Sequence, residues 1–266
     1  MSWISESKTR DAAELAIGYV LILVAEWFPN SAVQRFLFWF TLAWVIVTTI
    51  LDRPNARMLG LRPSNARSVW IVPAIVLLGA LFVWMASHLH TLHGFSIGTL
   101  MGRVRGYLVW SLLQQFILQD YFLLRLLRIM PNKAAVVSTA AILFASAHIP
   151  NPVLMIGTLL WGIAACILFL RYRDLYSLGI AHCLLGICIA VTVPAHIHHG
   201  MRVGLGYRQY RPRVERTHFS QMDQMVSTEA WVIADAVPKL VKAIVSIEPT
   251  GPPFIDAIFS TGATRP

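Results

Sequence analysis

Apolar residues fall into runs of near membrane-spanning length, separated by short polar or proline-bearing turns. The pattern predicts helices over Ala12–Phe28, Arg35–Leu51, Val69–Ser87, Gly106–Arg128, Ala134–His148, Val153–Leu170 and Leu175–Val193. A hydrocarbon core needs roughly 20 residues of helix to cross it. Pro29-Asn30, Pro131-Asn132 and Pro150-Asn151-Pro152 mark three of the breaks. Pro73 falls in the first turn of its helix, where a missing N–H is tolerated. The run 134–148 (AAVVSTAAILFASAH) is rich in small residues, which lets neighbouring helices approach closely.

Outside these runs the pattern weakens. Residues 88–105 mix apolar residues with His88, His90 and His93, which predicts an interfacial segment in preference to a metal site. Residues 196–216 are dense in His, Gly and Arg. Further on, Met225, Trp231, Val232, Ala236 and Leu240 recur at roughly helical spacing, as in an amphipathic helix lying on a membrane or a partner. The end of the chain carries too much Pro and Gly for a regular element. The reading is therefore a bundle over 1–196 and a basic segment and tail over 197–266.

Composition sharpens this. The 266 residues are 56% hydrophobic and only 13% charged, against about 25% charged in soluble domains. The fold class is all-α, a polytopic transmembrane bundle of about seven to eight helices. The net charge of +9 does not point to nucleic acid, because the arginines sit in short loops, where positive charge sets topology. The bilayer is the partner they imply. Lys8, Arg10, Arg53, Arg57, Arg62, Arg67 and the basic turns at 125–133 and 171–173 place the N-terminus in the cytoplasm. Seven spans then put the Arg-rich 202–216 outside, against the rule. A re-entrant segment, a different span count or a tail folded back would reconcile it. The first run has no cleavage site behind it and reads as a retained span. Cys166, Cys183 and Cys188 lie in apolar runs with no metal-finger spacing and read as small buried hydrophobes.

Candidate chemistry lies inside the spans. Trp110–Arg128 carries Gln114, Gln115, Gln119 and Asp120, and polar groups at that depth are costly unless they face a bundle interior or a wet cavity. Gln115 and Gln119 are i,i+4 neighbours on one helix face. His148 closes the next run and His182 lies within the last. Convergence of these groups would provide a buried water, groups to orient it and a donor for an oxyanion.

The spacing resembles the CPBP family, which includes the type II CAAX prenyl endopeptidases and bacteriocin-processing proteins. Its pattern is EExxxR, then FxxxH, then HxxxN on successive core helices. Here the segments read Gln114-Gln115-Phe-Ile-Leu-Gln119, Phe144-Ala-Ser-Ala-His148 and His182-Cys-Leu-Leu-Gly186. LGLRP at 59–63 resembles a segment that precedes the family's core, and the likeness covers about 55–195. It implies an intramembrane protease in which the first glutamate and the second motif's histidine activate water. The last histidine and asparagine steady the oxyanion.

The departures are specific. Both glutamates are Gln, the arginine is Gln119 and the asparagine is Gly186. A Gln amide accepts no proton at neutral pH, so His148 would be the base, with Gln114 and Gln115 positioning the water and His182 stabilising the oxyanion. Losing general-base help costs typically 10²–10⁴-fold, which leaves room for catalysis. Asp120 is the nearest remaining carboxylate and reads as the partner of Arg125 or another base; Glu26 is a second candidate substitute. His148 and His182 alone make a poor metal site, and no cofactor is assigned. The leading function is an intramembrane endopeptidase acting on a membrane-associated protein or peptide. The alternative is an inactive relative that binds a transmembrane partner. A carrier fits less well, because the spans lack two matching half-repeats with broken helices.

Overall fold

The computed structural model describes residues 2–52, 54–62, 67–92 and 97–211, which form helices and turns with no strand among them. The helices are α1 (Ser2–Trp27), α2 (Ser31–Leu51), α3 (Ile71–His88) and α4 (Ile97–Phe116). A π-helical stretch, Ile117–Leu123, carries α4 into α5 (Leu124–Ile129) without a break. Next come α6 (Lys133–Ser146), α7 (Pro152–Tyr172) and α8 (Leu175–Thr192). Four of these, α2, α3, α7 and α8, are long and apolar enough to cross a membrane. The chain is a membrane protein of bundled helices.

Sequence dictates most of the breaks. Three Pro-Asn pairs each end one helix and cap the next, because proline lacks the N–H that would continue the ladder and asparagine accepts from the orphan amides beyond it. Asn30 Oδ1 accepts from Ala32 N at 3.0 Å, Asn132 Oδ1 from Ala134 N at 2.9 Å, and Asn151 Oδ1 from Leu154 N at 3.2 Å. A fourth pair, Pro54-Asn55, shapes the turn after α2, where Asn55 Oδ1 accepts from Met58 N at 2.8 Å. That turn buries Leu59 and Leu61, and Gly60 accepts from Leu175 N at 3.1 Å, which docks it on the α7–α8 junction. Asp174 caps α8 and accepts from both Ser68 and Ser177 hydroxyls at 2.6 Å.

The rod from α4 through the π-helical stretch to α5 is the bundle's axis. Leu118, Tyr121, Phe122 and Leu123 are almost wholly buried in it. The rod packs on α8 through α4, on α6 and α7 through the π-helical stretch, and on α1 through α5. Residues 97–105, which sequence pattern assigns to an interfacial segment, instead begin α4. His88 rests edge-on against Trp84 at 4.7 Å, and His93 lies outside the described residues.

At the N-terminal end of α1 a closed ion network ties three helices. Arg128 forks onto Asp11 at 2.7 and 2.8 Å and reaches Asp52 at 2.7 Å. Arg125, 1% exposed, holds Glu14 at 3.0 Å, and Arg10 holds Asp52 at 2.7 Å. Arg125 therefore does not pair with Asp120, as the sequence suggests it would. The long-range partners were closer in space than the local one.

At the opposite end the chain folds back after α8. It forms α9 (Ala195–His198), a 3₁₀ turn over His199–Met201, and α10 (Gly204–Arg208). Asn151 Nδ2 donates to the carbonyls of His198 at 2.7 Å and Arg202 at 3.0 Å. Gly204 N donates to Ile149 O at 2.8 Å. Arg202 therefore lies at the His148 end of the bundle, opposite the Arg125–Arg128 ion network. The predicted amphipathic helix over 222–247 and the tail lie outside the described residues.

Candidate active site

The central feature is a hydrogen-bonded line of amides ending on an imidazole. Gln119 Nε2 donates to Gln115 Oε1 at 3.2 Å, and Gln115 Nε2 donates to His182 Nδ1 at 2.9 Å. The two glutamines meet because residues four apart share a face. The line crosses from the α4 rod to α8, and Gln115, Gln119 and His182 are all buried. Gln119 lies in the π-helical stretch, where Leu124 N–H bonds back to Gln119 O, five residues earlier. One extra residue in that turn rotates the helix beyond it, so that Gln119 faces the glutamine line while Tyr121 and Arg125 face α1.

His148 sits in the turn that ends α6. Its Nδ1 bonds the Phe144 carbonyl at 2.8 Å. A carbonyl only accepts, so Nδ1 carries the hydrogen and Nε2 keeps its lone pair. For His182 the logic reverses. Nδ1 accepts from an amide, so Nε2 carries the hydrogen and is a donor. The two neutral rings thus present complementary atoms, a base on His148 and a donor on His182. Both pack edge-on against Phe144, at ring separations of 5.2 and 5.8 Å. Trp161 flanks His182 at 6.3 Å.

Among the remaining candidates the picture divides. Gln114 is half-buried and makes no hydrogen bond among the described residues. Asp120 is 1% exposed, and neither of its oxygens has a hydrogen-bond partner. Its electrostatic partner is Arg173, at the far end of α7 from His148. Glu26 lies in the last turn of α1. Its backbone and Cβ pack against Gly204, which is bonded in turn to Ile149, so Glu26 lies at the His148 end of the bundle.

Tyr107 was not signalled by any motif. A Cβ at Gly186 would lie 2.6 Å from Tyr107 Cζ and closer still to its hydroxyl. The phenol therefore fills the space a side chain at 186 would need. Gly186 is one turn beyond His182, so the Tyr107 hydroxyl lies roughly 6 Å along α8 from the level of His182. A hydroxyl thus lies one helical turn along α8 from His182.

Among the described residues the group of three close metal-capable side chains is Asp11, Glu14 and Asp52, and arginines already hold all three.

Comparison with known proteins agrees with the motif reading. Residues 111–188 match the family model described as Type II CAAX prenyl endopeptidase Rce1-like. The matched segment contains the glutamine line, His148, His182 and Gly186, and the chain is similar there to CAAX-type intramembrane proteases. No curated protein matches the chain, and no solved structure does.

Proposed function

We propose that this membrane protein is an intramembrane endopeptidase that hydrolyses a peptide bond in a membrane-associated protein or peptide. The observation that carries the reading is the opposed tautomers of His148 and His182, set by Phe144 O and by Gln115 Nε2. The likeness over 111–188 supports it.

The chain's own groups divide the work. A water hydrogen-bonded to His148 Nε2 attacks the peptide carbonyl carbon as the imidazole takes its proton. His182 Nε2–H donates to the oxyanion that forms, with the Tyr107 hydroxyl as a further donor. Collapse of the tetrahedral intermediate breaks the C–N bond, and His148 returns the proton to the leaving amine. Gln115 keeps His182 in the donor tautomer and Gln119 keeps Gln115 oriented. Both are positioning residues. An amide line in place of a carboxylate and arginine pair carries no buried charge, so no desolvated ion needs a partner. The arginine-rich N-terminal side faces the cytoplasm in this reading.

The competing reading is a non-catalytic relative that binds a transmembrane partner. Near-complete burial of Gln115, Gln119 and His182 favours it. Membrane-protein termini compared in cells carrying the wild type, no protein, or His148→Ala separate the two. New termini that require both the protein and His148 establish proteolysis and name the substrate. Identical termini in all three, with both forms inserted, leave the binding reading standing.

A further inference from the structure

The Pro-Asn break beside His148 differs from those at Asn30 and Asn132. These two are exposed, and among the described residues each only accepts, from the first amides of its own helix. Asn151 is wholly buried and does more. Its Oδ1 caps α7 through Leu154 N. Its Nδ2 donates to the carbonyls of His198 at 2.7 Å and Arg202 at 3.0 Å, which lie 47 and 51 residues further along the chain. An N-cap needs only the oxygen, so capping accounts for neither of these bonds.

The bonds close a clamp on the turn that carries His148. Asn151 N donates to His148 O at 2.9 Å, and Gly204 N donates to Ile149 O at 2.8 Å. Two successive carbonyls of the turn are therefore held, one from the start of α7 and one from α10. The bond between His148 Nδ1 and Phe144 O spans from this turn back into α6, so it depends on where the turn lies. Gly204 in turn rests so closely on the α1 backbone that a Cβ there would collide with Glu26 O. The clamp's own backbone is strained. His199, Gly200 and Met201 are all left-handed, at φ 49°, 64° and 61°, and side-chain-bearing residues keep that conformation only where their surroundings impose it. His199 is stacked between Tyr207 at 3.9 Å and Tyr210 at 5.0 Å, which fixes the reversal from within.

We propose that residues 195–208 position the turn carrying His148, with Asn151 as a positioning residue that closes the clamp and keeps the imidazole in its Nδ1–H tautomer on Phe144 O. The consequence for catalysis rests on the protease reading. The hold on His148 does not.

The test is nitrogen NMR of the full chain carrying isotope-labelled histidine in detergent, with His148→Ala and His182→Ala assigning the two rings. Wild type should show His148 as the Nδ1–H tautomer and His182 as the Nε2–H tautomer. Asn151→Asp keeps an oxygen to cap α7 but sets a carboxylate against two carbonyls, which opens the clamp. Gly204→Ala opens it from the other side by the collision with Glu26 and leaves Asn151 intact. In each variant His148 should become a mixture of both tautomers, while His182, held from α4 by Gln115, keeps its signal. An unchanged His182 signal shows that the bundle is intact, so a variant that merely loosens the fold is recognised. Where wild type yields His148-dependent termini in cells, Asn151→Asp should slow their formation by about 10²-fold. Wild type without such termini fails the protease reading, and the tautomers then decide the clamp alone. An unchanged His148 tautomer in both variants, or a change never seen apart from His182, overturns the proposal.

Discussion

The Tyr107 phenol occupies the space that a side chain at Gly186 would fill. These two positions are coupled sterically across the α4–α8 contact, and the coupling is measurable without any substrate. Gly186→Asn alone should overpack and destabilise by about 1–3 kcal/mol. Tyr107→Ala should leave a void of comparable or larger cost. The double variant should be more stable than the sum of the two by about 0.5–3 kcal/mol, read as thermal unfolding in detergent. Simple additivity would remove Tyr107 from that space.

The Tyr107 hydroxyl is a separate question. Tyr107→Phe keeps the ring and its packing but deletes the donor. If the phenol steadies the oxyanion, cleavage by Tyr107→Phe should fall in kcat by about 10²–10³-fold, with KM and thermal stability close to wild type. Unchanged kcat makes Tyr107 a packing residue only.

Gln115 and Gln119 should differ sharply despite their shared motif. Gln115 has a partner on each side, so Gln115→Ala strands the Gln119 amide and His182 Nδ1 in the interior, at about 1–3 kcal/mol for each group. Gln119 Oε1 is buried with no hydrogen-bond partner. Gln119→Leu removes an unsatisfied acceptor together with one donor, and its cost should be under half that of Gln115→Ala. Denaturant unfolding of the two variants side by side decides it; equal losses contradict the one-way line of bonds.

Much of this architecture was legible because a bilayer enforces it. Every span-length apolar run became a helix, and each Pro-Asn pair between runs became a stop and a cap. The motif histidines and Gln115 could be singled out, since polar groups at span depth stand out against an apolar background. What pattern could not supply was pairing in space. Arg125 and Arg128 read as topology-setting loop charges, yet they bond Glu14, Asp11 and Asp52 across helices more than 70 residues apart in sequence. The π-helical turn at Ile117–Leu123 has no sequence signature in an apolar run. Tyr107 looked like one aromatic among many, and only the empty place at Gly186 gives it a position. Residues 195–208 carry no apolar period, and two hydrogen bonds from Asn151 hold them over the bundle end.

The ion network predicts an asymmetry among arginines. Arg128→Leu leaves Asp11, 2% exposed, and Asp52 short of partners, and breaking a buried pair costs about 3–5 kcal/mol. Arg62→Leu, at an exposed position, should shift stability by no more than about 0.5 kcal/mol. Similar losses in the two variants, measured by thermal unfolding of the purified protein, would mean that Asp11 finds solvent or another cation.

Asp120 should be dispensable for both fold and cleavage. Its carboxyl group is buried with neither oxygen hydrogen-bonded, so it contributes desolvation cost without a matching bond. Arg173, the charge that reaches it, is occupied with Met58 O and the Phe169 ring. Asp120→Asn keeps the shape and removes the ionisable group. Thermal stability should hold or rise, because the desolvation cost of the carboxylate is removed while Arg173 keeps its bond to Met58 O. The chemistry should also persist, since Asp120 is engaged toward Arg173 at the end of α7 remote from His148. A loss of cleavage in Asp120→Asn with unchanged melting would reverse this assignment and make Asp120 the carboxylate that replaces the missing motif glutamates.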